Sequence, residues 1–211
     1  MNQRNYQREL DRILTEFQAE AKAPRLFLHS CCAPCSSYVL EYLSRYFEIT
    51  VYYYNPNIFP EEEYEKRVEE QKRLIFAMDF IHPVSFIAAP YEPEAFYREV
   101  KGRETDPEGG ERCLKCYELR LRAAAAMAAG KGYDYFTTTL TISPLKRADR
   151  LNEIGERLAA EYGVAFLPSD FKKKNGYKRS IDLSKEFGLY RQDYCGCIYS
   201  MQEREESKKN K

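Results

Sequence analysis

Seven cysteines fall in three tight groups: Cys31-Cys32-Ala33-Pro34-Cys35, Cys113-Leu114-Lys115-Cys116 and Cys195-Gly196-Cys197. An odd number cannot all be used in internal disulfides, and the start of the chain lacks the apolar stretch of a signal peptide. Thiols kept reduced point to metal ligation or redox chemistry. Cysteines that merely fill a core as small apolar residues would be scattered rather than paired. A doublet and a CxxC can complete a four-thiolate site for zinc or for an iron–sulfur cluster. The adjacent pair Cys31 and Cys32 is unusual for a zinc knuckle, but on an extended loop it can reach two irons of one cube. Cys113 and Cys116 stand at a helix start, where the dipole favours thiolate.

Cys195 and Cys197 are separated by one glycine, which is tight for a single ion and suits a dithiol relay. Two further metal ligands are the alternative. Cys35 forms a second CxxC with Cys32 and serves as a spare ligand, a ligand of a second metal or a thiol at the substrate. Asp193, two residues before Cys195, is a candidate proton donor or oxygen ligand, and Asp170 a less constrained one. His29 and His82 read as packed residues. The tract 171–179 carries Lys172, Lys173, Lys174, Lys178 and Arg179 without an acid. Interleaved with Phe171 and Tyr177, these cations suit phosphate contact, with a solvated loop as the bland reading.

The elements that must hold these groups follow from apolar periodicity. Helices are predicted over 1–21, 36–46, 61–76, 91–100, 113–130 and 148–162, with Pro34 in the first turn of the second. Strands are predicted over 25–29, 47–54, 84–88, 135–140 and 164–167. Strand and helix alternate, so the fold class is α/β: a Rossmann-like parallel sheet with helices on both faces. Ligands bind beyond the carboxyl ends of such strands, where CCAPC, 55–60 and 141–144 all emerge. The predicted organisation is one domain. An N-terminal helix (1–24) precedes the core (25–168), and a loop-rich basic and CGC segment (169–200) leads to a frayed tail (201–211).

Composition narrows the function. The 211 residues are 44% hydrophobic and 31% charged, with 33 Lys+Arg against 33 Asp+Glu, which rules out a globally basic nucleic-acid binder but not a local patch. No apolar run approaches the roughly 20 residues of a membrane span. The expectation is a soluble, cytoplasmic protein.

Five motifs in order now resemble a known family: LHSCCAPCS (28–36), YYYNPNIFP (52–60), RCLKCYELRL (112–121), TTTLTISPLK (137–146) and YRQDYCGCIYS (190–200). Together they are similar to the epoxyqueuosine reductases of the QueH type. The resemblance implies reduction of the epoxide of epoxyqueuosine in tRNA, at the anticodon wobble nucleoside, without cobalamin. It implies a 4Fe-4S cluster on Cys31, Cys32, Cys113 and Cys116, and a redox-active disulfide at Cys195 and Cys197. A second mononuclear metal, iron or zinc, is implied beside the cluster, with Cys35 and Asp193 as candidates for it. An unidentified electron donor is needed. The implied fold is that of Rossmann-like nucleotide-binding α-hydrolases. CCAPC occupies the place of their phosphate loop, so no ATP chemistry is expected. The rival from another class is a zinc-stabilised RNA-binding protein without catalysis.

Overall fold

Five short runs rich in β-branched and aromatic residues become strands: β1 (Arg25–His29), β2 (Glu48–Tyr53), β3 (Val84–Ala88), β4 (Tyr135–Thr138) and β5 (Ala165–Phe166). The computed structural model describes residues 4–20 and 23–209. All strands pair in parallel, in the order β3-β2-β1-β4-β5. The predicted α/β class therefore holds. β1 is central, and Leu26, Phe27, Leu28 and His29 are all fully buried. That is why it reads as a continuous apolar run rather than an alternating one.

Alternate residues of the strands feed two cores. Leu26, Leu28, Ile49 and Val51 meet Leu10 and Leu14 of α1 (Tyr6–Glu20) and Val39, Leu40 and Leu43 of α2 (Ala33–Leu43). Phe27, Tyr52 and Phe136 meet Leu121, Ala124 and Ala128 of α5 (Glu111–Gly130) and Leu151 and Leu158 of α6 (Ala148–Tyr162). Helices α3 (Glu61–Ala77) and α4 (Pro93–Glu99) complete the crossovers on the β3 side. Tyr52 and Tyr53 serve this packing, on Phe27 at 5.0 Å and on Tyr64 at 5.6 Å between ring centroids. The chain builds β1, β2 and β3 outward, then returns past β1 to lay down β4 and β5. The crevice between β1 and β4 is thus the topological switch point.

The expected strand over 135–140 ends at Thr138, where the chain turns into a 3-10 segment, Thr139–Ile142. The Thr138 hydroxyl accepts from the Leu140 N–H at 3.1 Å and caps it. Of the helix expected over 1–21, positions 1–3 and 21 lie outside the described residues.

Two helices correct the sequence reading. The basic segment is not all loop: α7 (Gly176–Glu186) forms there and packs on α2. Its buried face is Gly176, Ser180, Leu183 and Ser184, so close approach by small residues replaces an apolar stripe. Of the tail predicted to fray, 210–211 lie outside the described residues and 201–209 are helical, within α8 (Ile198–Lys209). Ser200 is its one fully buried residue among those described. Ion pairs tie the helix down instead: Glu203 to Arg112 at 2.7 Å, and Arg204 and Lys208 to Asp193 at 3.3 and 2.7 Å. No helix among the described residues is long and apolar enough to cross a membrane.

A Cβ at Gly176 would overlap the Phe171 carbonyl oxygen and the Tyr38 ring. Gly176→Ala is therefore expected to destabilise the protein by about 1–3 kcal/mol through overpacking, outweighing the gain in helix propensity. Urea unfolding followed by circular dichroism measures this; an unchanged midpoint would show that α7 does not dock as described.

Candidate active site

Hydrogen bonds at the strand edge fix the first cysteine group. The Asn55 side chain, just past β2, donates to the Ser30 carbonyl at 2.8 Å. The Cys31 N–H donates to the Thr139 hydroxyl, just past β4, at 3.2 Å. Gln71 of α3 accepts from the Ser30 and Ser36 hydroxyls, each at 2.8 Å. Three of the convergent loops are thereby tied to one another. His29 sits beneath them, fully buried, with Nδ1 2.9 Å from the Thr138 hydroxyl and Nε2 3.3 Å from the Tyr54 carbonyl. The carbonyl can only accept, so Nε2 carries the proton. Burial, with help from Arg120, depresses its pKa to about 3, so His29 is a neutral packing residue.

The Sγ atoms of Cys31, Cys32 and Cys35 lie within 4.8 Å of one another, and Cys31 and Cys32 are 3.9 Å apart. Four thiolates at 2.3 Å from one tetrahedral ion would be about 3.8 Å apart. The trio can hold a metal. Their protons are unequal: hydrogen bonds with Cys31 and Cys35, then one with Gln192 and the charge of Arg67, hold the Cys32 thiol well below the ordinary value, while hydrogen bonds with Cys31 and Cys32, together with burial, push Cys35 well up. Cys32 also occupies the N-cap of α2, where partial positive charge favours a thiolate.

These three thiols line an outer cavity of about 340 Å³, together with Arg120, Lys146, Tyr177, Arg191 and Cys195. A second, narrower chamber is lined by Cys113, Cys116, Cys195 and Cys197. Cys195, Asn57, Glu108 and Arg120 line both. The quartet expected from sequence is thus divided, Cys31 and Cys32 facing one chamber and Cys113 and Cys116 the next. Ligands of different irons stand further apart than ligands of one ion, so this division is compatible with a polynuclear cluster. All seven cysteines are free thiols, Cys195 and Cys197 included. Burial raises Cys113 and lifts Cys116 to about 12, so both stay protonated until a cation claims their sulfurs.

Arg120 supports an anionic occupant. It is 2% exposed and donates to the Cys116 carbonyl and to Asn55 Oδ1, both at 3.2 Å. Among the described residues its Nη2 has no partner, and the groups whose charge would stabilise its cation, once they are deprotonated, are Cys116, Cys195 and Cys31. A buried cation without a carboxylate needs negative charge close by, which metal-bound thiolate sulfur provides.

The CGC loop is clamped. The Gly196 carbonyl accepts from the Phe59 N–H at 2.8 Å, and Arg67 donates to the Cys195 carbonyl at 3.3 Å while paired with Glu63 at 2.7 Å. Gly196 has φ +132°, and a Cβ there would come within 3.0 Å of Arg67 Nη1 and 3.2 Å of Ile58. Sequence reasoning missed Arg67 and Arg120, whose signal is an arginine within a helix's buried spacing. Nothing in the sequence tells which way Lys146 faces, and its Nζ lies 3.4 Å from the Cys195 sulfur.

Asp193 lines the outer cavity, but its carboxylate is turned to Arg204 and Lys208. Those cations depress its pKa, so it stays ionised and is a poor proton donor. Asp170 is held by Lys172 at 2.5 Å. In the basic tract, Lys172, Lys174 and Arg179 are engaged with Asp170, Asp11 and Glu41. Lys173 and Lys178 are exposed.

A family model described as epoxyqueuosine reductase QueH matches residues 26–203, a span that contains all seven cysteines. The chain belongs to the QueH family. Curated relatives named epoxyqueuosine reductase QueH include those of Staphylococcus epidermidis and Staphylococcus aureus, 43% and 44% identical over 202 residues. Each alignment covers 93% of this chain and 84% or 83% of the relative. The Streptococcus pyogenes relative is 42% identical, covering 93% of this chain and 78% of its own. As a QueH member the protein is an oxidoreductase, which agrees with two thiol-lined chambers at the strand edge.

Gly196→Ala is expected to strain the clamp by about 1–3 kcal/mol, because an L-residue is forced into a sparsely populated backbone region. The loop should then open, and Cys197, now 7% exposed, should be alkylated faster by iodoacetamide in the folded protein. Peptide mass mapping of labelled cysteines over time decides it; equal rates for Cys197 would show that the loop does not depend on this glycine.

Proposed function

We propose that the protein reduces the epoxide of epoxyqueuosine at the tRNA wobble position and leaves queuosine. Meeting of all three cysteine groups on two chambers that share Cys195 and Arg120, in a chain of the QueH family, carries this reading. Conversion of an epoxide to an alkene consumes two electrons and two protons and releases the oxygen as water. The outer cavity has the size of a small-ligand site and suits one nucleoside drawn out of its strand. Leu145, 76% exposed, and Tyr177 stand on its rim and offer surface for a base to stack against.

Cys31, Cys32, Cys113 and Cys116 are the thiolates proposed for a 4Fe-4S cluster, with Arg120 balancing its charge. When bound, such a cluster passes electrons singly. A neighbouring mononuclear metal, iron or zinc, is assigned Cys35 as ligand; Asp193 joins only by giving up Arg204 and Lys208. Cys195 and Cys197 store two electrons as a dithiol and are regenerated by an external electron donor. Since Cys195 lines both chambers and Cys197 only the inner one, Cys195 is the substrate-facing thiol. The site of action is the cytoplasm, with tRNA.

Two experiments test the reading. Nucleoside analysis of tRNA after anaerobic incubation with reduced protein should show epoxyqueuosine replaced by queuosine. Cys113→Ser and Cys116→Ser should lose iron and activity, while Cys195→Ser and Cys197→Ser should keep iron and fail to turn over. Colourless wild-type protein with stoichiometric zinc and no conversion would favour an RNA-binding role instead.

Contact of the tract Lys172, Lys173, Lys174, Lys178 and Arg179 with tRNA phosphates belongs to the same proposal. Lys173 and Lys178 are expected to dominate, because the other three already neutralise carboxylates. Each contact removed by Lys173→Ala or Lys178→Ala should lower the salt slope of tRNA binding by about 0.7 to 0.9. Titrations at several salt concentrations measure the slope, and a value equal to wild type would remove this tract from the interface.

A further inference from the structure

The proposed reaction needs a proton donor for the departing oxygen, and four groups in or beneath the outer cavity are poor candidates. Asp193 is ionised and paired with Arg204 and Lys208. His29 is neutral and sealed under Thr138 and Tyr54. Arg120 lines the cavity, but a guanidinium cannot release its proton. Arg191 has the same limit and donates to Ser184 at 2.9 Å.

Lys146 differs from all of these. It closes the turn that follows the 3-10 segment after β4, where its N–H donates to the Ser143 carbonyl at 3.2 Å. The preceding turn is pinned from below, with the Thr141 and Ser169 hydroxyls 3.0 Å apart. Leu145 points to solvent, while the Lys146 ammonium turns inward to the Cys195 sulfur at 3.4 Å. Among the described residues no carboxylate pairs with it. Burial alone would push the ammonium toward neutrality, but Cys195, Tyr117, Cys31 and Cys35 carry it well above the ordinary lysine value. A cation is therefore held at the wall of the substrate cavity with a soft sulfur partner and with donor capacity to spare.

We propose that Lys146 is a catalytic residue that donates a hydrogen bond to the epoxide oxygen and gives it a proton as the first carbon–oxygen bond breaks. The assignment rests on the reductase reading above. An alkoxide oxygen is a much stronger base than an amine, so the transfer runs downhill even from a strongly held ammonium. The Cys195 thiol then returns a proton to Lys146. Over one turnover the Cys195–Cys197 dithiol gives up two electrons and two protons and becomes a disulfide. Both carbon–oxygen bonds of the epoxide break, a carbon–carbon double bond forms, and the oxygen leaves as water. Lys146 ends as it began. A preorganised cation aimed at developing negative charge is the arrangement that accelerates such steps most.

Binding and kinetics test the assignment separately. Wild-type protein should bind tRNA carrying epoxyqueuosine on the order of tenfold more tightly than the same tRNA carrying queuosine, which has no epoxide oxygen to accept the bond. Lys146→Met should bind the two equally, and Lys146→Arg, which keeps the donor, should retain part of the preference. In single turnover, Lys146→Met should lose on the order of 10² to 10³ in rate. Added ethylammonium should recover part of the loss in a Lys146→Ala variant, which a merely structural role would not permit. Iron content and unfolding midpoint equal to wild type confirm that the variants fold, and Lys146→Gln substitutes for any that does not. An undiminished epoxide preference in Lys146→Met, or a wild-type protein without preference, overturns the role of Lys146 alone. Failure of wild-type protein to convert the tRNA at all overturns the reductase reading instead.

Discussion

Arg120 carries a full positive charge out of water, and among the described residues no carboxylate pairs with it. Such a charge is expensive unless something nearby is negative. Cys31, Cys116 and Cys195, one from each cysteine group, are the thiols whose negative charge would stabilise it. The guanidinium also joins α5 to the loop after β2 through Asn55, and Asn55 in turn holds the Ser30 carbonyl. One side chain thus favours thiolate over thiol in the site and ties together the backbone that presents it. Loss of this cation would make thiolates harder to form there and would leave α5 and the loop after β2 without this link.

The parallel sheet supplies the rest of the positioning. A side chain that leaves β1, one that leaves β2 and one that leaves β4 meet because all strands end on the same edge. The CGC loop arrives from the far end of the chain and is not part of that edge. It is carried there by contacts with Phe59, Arg67 and Lys146, which explains why its glycine sits in a conformation few other residues adopt.

The cysteine groups and the strands were legible in the sequence for simple reasons. Thiol spacings have few competing explanations, and a central strand such as 26–29 is apolar on both faces. What escaped notice depended on geometry rather than composition. α7 buries Gly176, Ser180 and Ser184, residues that ordinarily signal a turn, so nothing in their hydropathy announces a packed helix. α8 is held by charged pairs instead of an apolar stripe. Asp193 looked like a functional acid from its distance to Cys195 along the chain, but α8 places two cations against it. Lys146 could not be singled out from other basic residues, because only the turn after β4 reveals that its ammonium faces inward.

The carboxylates that already hold Lys172, Lys174 and Arg179 bear on how long a nucleic acid would stay. Each phosphate that reached one of these cations would displace an acid of the protein's own, so one ion pair would be exchanged for another rather than created. The surface then discriminates little in favour of polyanions in general, in keeping with the zero net charge of the whole chain. Residence time would be governed by what enters the cavity, and a spent substrate whose recognised group had been removed would dissociate quickly. If nucleic acid binds as proposed, self-competition on this surface would favour repeated turnover over tight capture.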